Sequence, residues 1–369
     1  MATPGEREIE PPAAMQATGP RGPAGAHGWE PYTPGEVESV LAEYQVGRVE
    51  RAQEYRRGSR SAPKLKIKAT SGTYLLKRRS IRRHPLLRIR FAQSLQVELD
   101  AQGFPVAGLV PLRATGETLL VREDHVYELF RFVEGSRYDK SARAAARSGE
   151  CLARLHRFAR AVDASQAPPA SFHSSGSVRT ALHRLGQAIM ATERKADAEK
   201  VEGTRKALQA LYERACEEVD DLGFKRLSPG VVHGDWHPGN LIFRDGVVAA
   251  VIDFDSARSE PRITEVANGM LQFSLRGEPG TSPLEWPSDL DASRLQGFLH
   301  GYLAAADRPL TLDERTMLPW FMIEAMIAES AIPVANQGSF AELAGSSFMD
   351  LVRRKCEWVR QHRKSLAAL

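Results

Sequence analysis

The sequence predicts an α+β protein, with a small N-terminal part built on antiparallel strands and a larger, mainly helical C-terminal part. The first observation is a pair of alternating polar and apolar runs, KLKIKAT and TYLLKRR within residues 64–79, joined by a Ser-Gly turn. Such alternation indicates a half-buried β-hairpin. The second is helical spacing from residue 141, SARAAARSGECLARLHRFARAV, which recurs in later segments up to the C-terminus. Strands followed by helices favour the α+β class.

The chain is long enough for one enzyme of two lobes or for two to three ordinary domains, with 369 residues of which 42% are hydrophobic. Residues 1–30 are rich in Pro, Gly and Ala and predict a disordered tail. We expect an N-terminal lobe over residues 31–132 and a C-terminal lobe over residues 133–369, with a hairpin of interest at 233–257.

Three local signals define elements of the predicted N-terminal lobe. Thr33 before Pro34 and Glu36 predicts a short capped helix. Residues 88–101 have helical spacing and stop before Gly103, a residue type common at the end of a helix. Residues 125–135, HVYELFRFVEG, predict a buried strand that breaks at its final glycine.

Composition argues against several other classes of protein. No run approaches the roughly 18–20 apolar residues that span a membrane, so we expect no membrane partner. The N-terminus lacks a basic region followed by an apolar stretch, as a secretory signal would have. Cys151, Cys216 and Cys356 are too scattered for a disulfide framework or a zinc pattern, so reduced thiols and a cytoplasmic location are expected.

Charge is distributed unevenly, although the formal net charge is only +4. Between Glu54 and Glu98 there are thirteen Lys or Arg residues and no acid. Such a block, residues 56–90, fits a nucleic-acid or acidic-membrane surface, but also a phosphate-binding face with solvated strand faces. The block lacks RNP, helix-turn-helix and zinc patterns and has few aromatic residues, which counts against a nucleic-acid partner.

The stretch of residues 233–255, HGDWHPGNLIFRDGVVAAVIDFD, sets acids and an amide beside apolar runs. Asp-Gly at 245–246 predicts a type I′ hairpin turn, which needs positive φ at both central residues. The resulting register puts Asn240 and Asp253 on one face, roughly 7–8 Å apart. A hard cation between them could take one oxygen from each side chain. Asp235 lies on the loop that enters the hairpin.

HGDWHPGN resembles the catalytic loop of the aminoglycoside phosphotransferase and choline kinase family, and IDFD resembles that family's metal-binding segment. Gly234 stands where protein kinases carry Arg, and Asp255 where they carry Gly, which favours the small-molecule branch. The order of elements over residues 33–330 is similar too. FPV and LHRF most resemble the homoserine kinase type II and spore-coat kinase branches. The resemblance implies a two-lobed protein-kinase-like fold with an ATP site between the lobes.

The resemblance also implies roles for individual residues. Asp235 would orient the acceptor hydroxyl and take its proton, and Asn240 and Asp253 would hold Mg²⁺ on the ATP phosphates. Asp255 would hold a second metal or contact the acceptor, or else make only local hydrogen bonds. Lys77 would pair with the α and β phosphates. The end of the strand within residues 125–135 would form the hinge between the lobes. Its backbone would contact adenine, through Phe130, Arg131, Phe132 and Val133. His233, Trp236 and His237 are expected to be structural.

Two departures from the family pattern are visible. The loop RRGSRSAP before the first strand of the hairpin carries one glycine, Gly58, and no G-x-G-x-x-G. Related kinases fix the lysine with a glutamate on the following helix. Here Glu98 lies nearer the helix C-terminus than that pattern requires, and Gln93 falls closer to the expected place.

The implied function is ATP- and Mg²⁺-dependent phosphorylation of a hydroxyl group on a small molecule. A sugar, an amino alcohol, a homoserine-like amino acid and an aminoglycoside all remain open as acceptors. A non-catalytic binding protein with the same fold is one alternative, motivated by the two departures. A protein kinase is another, although D-F-G, A-P-E and H-R-D are missing.

Overall fold

The computed structural model describes residues 8–9, 31–55, 62–168, 171–277 and 281–369. The chain forms two compact units, Met1–Gly135 with Ala249–Asp255, and Ser136–Val248 with Ser256–Leu369. The second half of the 233–257 hairpin therefore groups with the N-terminal unit. The predicted tail, residues 1–30, lies outside the described residues except for Glu8–Ile9, and so does most of the loop around Gly58.

The N-terminal unit is built on an antiparallel sheet in the order β1-β2-β3-β4-β6-β5. Its strands are β1 Glu8–Ile9, β2 Val49–Glu54, β3 Lys64–Ala69, β4 Gly72–Ser80, β5 Leu119–Arg122 and β6 His125–Arg131. The predicted hairpin is β3–β4, in which Lys64 is the Cα partner of Lys77. On β6, Glu128 is the other neighbour of Lys77.

Among its described residues, this unit also has two helices, α1 Pro34–Leu41 and α2 Leu86–Ala101. Thr33 and Glu36 form the predicted capping box at the start of α1. After α2, Gly103 adopts φ +73°, a left-handed conformation that glycine enters at little cost. The apolar residues of the hairpin strands, among them Leu65, Ile67 and Leu76, are fully buried in the core under the sheet.

The C-terminal unit is mainly helical. Its helices are α3 Ala142–Phe158, α4 Gly176–Thr192, α5 Ala198–Asp221, α6 Arg262–Ser274, α7 Ala292–Ala305, α8 Leu312–Gln337, α9 Gly345–Gln361 and α10 Arg363–Ala367. Two small antiparallel sheets join β7 Gly230–Val232 to β10 Arg258–Glu260 and β11 Ser339–Phe340 to β12 Leu343–Ala344. An antiparallel sheet in one unit and helices in the other confirm the predicted α+β class.

Helix α8 corrects one expectation. By length and composition it is apolar enough to cross a membrane, although the sequence pattern suggested that no run came close. Within the protein, however, 83% of its most apolar window is buried. Packing against the other helices of the unit accounts for its apolar character, as in the central helix of a bundle.

Asp245 and Gly246 have φ +52° and +76°, as a type I′ turn requires, between β8 Leu241–Arg244 and β9 Val247–Val251. Asn240, however, belongs to a 3-10 turn at 238–240, and Asp253 follows the end of β9 with φ +65°. Neither residue belongs to a strand, so the hairpin register does not extend to them, and their common face stays a prediction.

Helices α3 and α7 approach closely because glycines line their contact. A Cβ on Gly149 would lie 2.0 Å from the carbonyl oxygen of Phe298. We expect Gly149→Ala to lower the free energy of unfolding by about 1–3 kcal/mol, because backbone must move to admit the methyl group. On the exposed side of α5, a Cβ on Gly203 would enter open space, so Gly203→Ala should instead stabilise by roughly 0.5–1 kcal/mol. Urea unfolding of both variants checks this, and equal destabilisation would contradict it.

Candidate active site

In the N-terminal unit, Lys77 of β4 has its ammonium between two carboxylates. Its Nζ lies 3.1 Å from Asp253 Oδ1 and 2.9 Å from Asp255 Oδ2. The Lys77 side chain is only 6% exposed, whereas the aspartates are about one-third exposed. Burial alone would lower the pKa of Lys77, but Asp255 and Asp253 raise it, so the ammonium stays charged. A fixed, charged lysine beside accessible carboxylates is suited to phosphate and metal binding.

The segment after β9 presents these carboxylates because Phe254 anchors it. Phe254 is 1% exposed, while both neighbouring aspartates reach solvent. Asp253 adopts φ +65°, which costs a non-glycine residue about 1–3 kcal/mol and often marks a functional site. Burial would raise the pKa of Asp253, but Lys77 and Lys64 hold it below its usual range. Asp253 is therefore ionised, as a metal ligand must be.

The expected partner of Lys77 on α2 is replaced. Gln93 Nε2 donates to Glu128 Oε1 of β6 at 2.9 Å, and Glu98 accepts from Gln102 at 2.8 Å. The two aspartates hold Lys77 instead. No local pattern on α2 could reveal this, because the partners lie about 180 residues away in sequence.

Arg78 and Arg79 follow Lys77 on β4 and belong to the basic block of residues 56–90. Both side chains are buried, Arg78 5% and Arg79 3% exposed. Arg79 forms ion pairs with Glu128 and Asp255 at 2.6 and 2.7 Å, on the face that carries Lys77. On the opposite face, Arg78 Nη1 lies 2.7 Å from Glu36 Oε1. Three consecutive basic residues of the block, Lys77, Arg78 and Arg79, thus pair with acids inside the unit.

The predicted adenine-binding residues lie at the end of β6. The amide N–H of Arg131 donates to Gly108 O at 2.8 Å, and that of Phe132 donates to Thr73 O at 2.9 Å. The Phe132 ring meets Tyr55 edge to face and lies 4.1 Å from Lys66 Nζ. Phe130 is the Cα partner of Leu75 within the sheet. The backbone N–H groups of Arg131 and Phe132 are thus used within the protein.

In the C-terminal unit, Asp235 and Asn240 are brought together. Asn240 Nδ2 donates to Asp235 Oδ2 and to its backbone carbonyl, both at 2.9 Å. His237 accepts from Gly239 N at Nδ1, and its Nε2 lies 3.5 Å from Asp235 Oδ2. Burial would raise the pKa of Asp235, but His237, His233 and Asn240 together lower it. Asp235 is an ionised base at neutral pH.

The donor set around Asn240 fits a hard cation. Its amide nitrogen is used by Asp235, which directs the carbonyl oxygen Oδ1 away from that residue. Amide and carboxylate oxygens are the ligands that Mg²⁺ takes in phosphotransferases. Asn240 and Asp253 each offer such an oxygen within their own unit.

A buried glutamate of α6 fixes the backbone at the start of the loop that carries Asp235. Glu265 accepts from the backbone N–H of His233 at 3.1 Å and of Gly234 at 2.6 Å. His156 Nε2 lies 2.9 Å from the same carboxylate, and its Nδ1 lies 3.0 Å from Tyr302 Oη. Sequence reasoning singled out His156 only through LHRF and missed Glu265, which is 109 residues away from it.

Gly234 has to be glycine for two reasons. Its φ is +81°, and a Cβ would lie 2.1 Å from the carbonyl oxygen of Ser256. Trp236 and His233 are fully buried and pack edge to face with ring centroids 5.7 Å apart. These contacts fix the loop backbone from which the side chain of Asp235 extends.

Glu329 of α8 is a second carboxylate beside Asp235. It accepts a hydrogen bond from Gln272, and it also interacts with Asn268 and His237. The side chain is solvent-exposed, yet nearby protein limits its hydration, which raises its pKa to about 7; the charge of Asp235 adds to this shift. Nothing in the local sequence of α8 distinguishes this glutamate from other helix-surface acids.

This chain is similar to known proteins in sequence and in fold. The sequence profile of the phosphotransferase enzyme family matches residues 53–313. A homoserine kinase of Phenylobacterium zucineum (strain HLK1) is 28% identical over 138 residues, which are 37% of this chain and 38% of that protein. The chain thus matches well under half the length of this curated relative.

Several solved structures have a similar fold. A microcompartment-associated aminopropanol kinase has TM-score 0.66 and 15% identity, over 90% of this chain and 98% of that one. An amicoumacin kinase in complex with AMP-PNP, Ca²⁺ and Ami has TM-score 0.64 and 14% identity, over 89% and 94%. An aminoglycoside phosphotransferase from Alicyclobacillus acidocaldarius subsp. acidocaldarius DSM 446 has TM-score 0.63 and 17% identity, over 93% and 97%.

At these identities the structural likeness shows a common fold, and it confirms the predicted kinase-like class. The family profile, by contrast, rests on the sequence itself and covers far more than half of the chain. It includes Lys77, the loop of Asp235 and Asn240, and the IDFD segment. This protein belongs to the phosphotransferase enzyme family.

Proposed function

We propose that this protein transfers the γ-phosphoryl group of ATP, with Mg²⁺, to a hydroxyl group of a small molecule that also carries an amine. Phosphoryl transfer to a hydroxyl group is supported mainly by the loop in which Asn240 holds the ionised carboxylate of Asp235. The observation that supports the amine is the second carboxylate, Glu329, beside it.

Asp235 is the group to which we assign the proton of the acceptor hydroxyl. Because Asn240 holds Oδ2, transfer is assigned to Oδ1. A lowered pKa makes Asp235 a weak base, which suits a loose phosphoryl transition state in which the attacking oxygen develops little charge early. Its main contribution is then orientation of the hydroxyl, with late acceptance of the proton.

Lys77, Asp253 and Asn240 are assigned to the nucleotide. Lys77 supplies a buried positive charge for phosphate oxygens, and Asp253 and Asn240 supply oxygen ligands for Mg²⁺. When bound, Mg²⁺ would neutralise phosphate charge in the transition state. We assign the backbone of Phe130, Arg131, Phe132 and Val133 to adenine, with Val133 as the donor, because the N–H groups of Arg131 and Phe132 donate within the protein.

Glu329 selects among the acceptors that the family resemblance leaves open. An exposed carboxylate near the base would attract an ammonium group and thereby orient a nearby hydroxyl. The names of an aminopropanol kinase and an aminoglycoside phosphotransferase among the similar structures support acceptors with amino groups. A neutral sugar would leave this carboxylate without a charge partner in the complex.

A screen of ATP consumption against matched acceptor pairs tests the proposal. Each pair has the same hydroxyl carbon skeleton, with and without an amino group. We expect Mg²⁺-dependent ADP formation with amine-bearing members and much less with their neutral partners. Equal turnover of both members would contradict the amine, and no turnover of any hydroxyl compound would contradict the phosphotransferase activity.

The pH dependence of turnover tests Glu329 separately. Because its pKa is about 7, Glu329 is neutral below that pH and gains a negative charge above it. We expect kcat/KM for an amine acceptor to rise as pH increases through about 7, whereas kcat/KM for a neutral hydroxyl compound should not. Glu329→Gln should remove the rise and lower kcat/KM at pH 8 for the amine alone. A rise that persists unchanged in Glu329→Gln would assign it to another group.

A further inference from the structure

Arg79 connects two acids that come from distant parts of the N-terminal unit. One guanidinium nitrogen, Nη2, lies 2.6 Å from Glu128 Oε2, and the other, Nη1, lies 2.7 Å from Asp255 Oδ1. Arg79 is 3% exposed and Glu128 is completely buried. A planar guanidinium with two separated nitrogens can bridge two carboxylates in this way, and a lysine ammonium cannot reproduce the geometry.

Asp255 contacts Lys77 as well as Arg79. While its Oδ1 is held by Arg79, its Oδ2 lies 2.9 Å from Lys77 Nζ. Lys77 and Arg79 are two residues apart on β4 and so project from the same face of the sheet. The charges therefore alternate along Glu128, Arg79, Asp255 and Lys77, and each cation is fixed by an acid.

Helix α2 joins the same network through an amide in place of a carboxylate. Gln93 Nε2 donates to Glu128 Oε1 at 2.9 Å, and Gln93 Oε1 accepts from Thr118 Oγ1 at 2.8 Å. In the family pattern, a glutamate on this helix pairs with the lysine directly. Here the carboxylate is that of Glu128 on β6, which is connected to Lys77 only through Arg79 and Asp255. Gln93 holds this carboxylate in place.

We propose that Arg79 and Glu128 are positioning residues that hold Asp255, and through it the ammonium of Lys77, in place of the missing glutamate of α2. This inference rests on the proposed nucleotide-binding role of Lys77. It assigns Asp255 to the anchoring of Lys77, and not to a second metal or to the acceptor. Asp253 is then able to turn to a metal ion while Lys77 stays fixed by its other contact.

The affinity for MgATP, measured by calorimetry, tests the inference without any acceptor. Arg79→Gln should raise the Kd of MgATP by about 10- to 100-fold, the loss typical when a group that orients a ligand residue is removed. Arg79→Lys should restore part of the affinity, because one ammonium can hold one of the two acids. Combining Arg79→Gln with Asp255→Asn should raise Kd much less than the product of the single effects, because both act through one chain of contacts.

Arg78→Gln is the matched control. Arg78 is as buried as Arg79, lies on the same strand and also binds a glutamate, but it faces the other side of the sheet. Its replacement should lower thermal stability to a similar degree and leave the Kd of MgATP unchanged. Equal losses of MgATP affinity in Arg78→Gln and Arg79→Gln would overturn the inference, because burial alone would then explain both.

A double variant separates positioning from folding. Arg79→Gln alone leaves Glu128 buried without its cation, and this is expected to destabilise the unit. Arg79→Gln combined with Glu128→Gln removes both charges and should recover much of the thermal stability, while the Kd stays raised. Recovery of Kd together with stability would mean that Arg79 acts on the fold only.

The same titrations distinguish this inference from the proposed function. If the unmodified protein binds MgATP but no hydroxyl compound is phosphorylated, the acceptor proposal fails and the Arg79 inference can still hold. If Arg79→Gln binds MgATP as tightly as the unmodified protein, the inference fails and the phosphotransferase proposal is untouched. Absence of MgATP binding by the unmodified protein would overturn both.

Discussion

Asp235→Asn is expected to lower kcat by about 10²- to 10⁴-fold, the usual contribution of a general base. Asparagine has nearly the same shape and can still accept from Asn240, so the loop should keep its conformation. What is lost is the negative charge that orients the acceptor hydroxyl and takes its proton. MgATP affinity should change little, because we assign Asp235 to the acceptor and not to the nucleotide.

Asp253→Ala is the comparison variant for this prediction. It should weaken nucleotide binding in the presence of Mg²⁺ far more than Asp235→Asn does, and it should have a smaller effect without the metal. Calorimetry with and without Mg²⁺ measures both. Turnover that survives in Asp235→Asn would contradict its catalytic role, and equal losses of nucleotide affinity in the two variants would contradict the division of roles.

Lys77→Ala should have the second large effect, a loss of about 10²- to 10³-fold in kcat/KM, as when a preorganised charge is removed from a transition state. The variant also leaves Asp253 and Asp255 facing each other without the cation that lies between them. Repulsion between them and the phosphates then adds to the loss. Steady-state kinetics at two salt concentrations provides the measurement.

A double Arg82→Ala, Arg83→Ala change is the control for Lys77→Ala. Arg82 is 77% exposed and pairs with Asp124, and Arg83 is exposed as well. Both belong to the same basic block, but exposed charges are screened by salt and contribute little to a fixed site. If this pair abolished activity and Lys77→Ala were tolerated, the block would be a docking surface for an anionic partner.

Much of the N-terminal unit could be predicted because its signals are local. The alternation in KLKIKAT and TYLLKRR, the capping box at Thr33 and the glycine after α2 each depend on residues within one element. The I′ turn at Asp245-Gly246 is of the same kind, since positive φ at two adjacent positions narrows the choice of residues.

The features that the sequence did not reveal depend mainly on contacts between distant residues. Lys77 and Arg79 are two residues apart on β4 and share one face, but no local pattern indicates that Asp255 and Glu128 contact them there. The register argument does not extend to Asn240 and Asp253, because the backbone leaves strand geometry at both ends of the hairpin, and their common face stays a prediction. Glu329 was missed because its significance comes from the loop it faces and not from its own helix.

Phosphorus NMR of the product made from ATP, Mg²⁺ and the best amine-bearing acceptor tests the central claim most directly. We predict a new phosphomonoester signal coupled to the protons of the carbon that bore the hydroxyl group, formed with ADP in equal amounts and lost in Asp235→Asn. Formation of ADP with inorganic phosphate alone, or of the same ester by Asp235→Asn at an undiminished rate, would contradict phosphoryl transfer at this site.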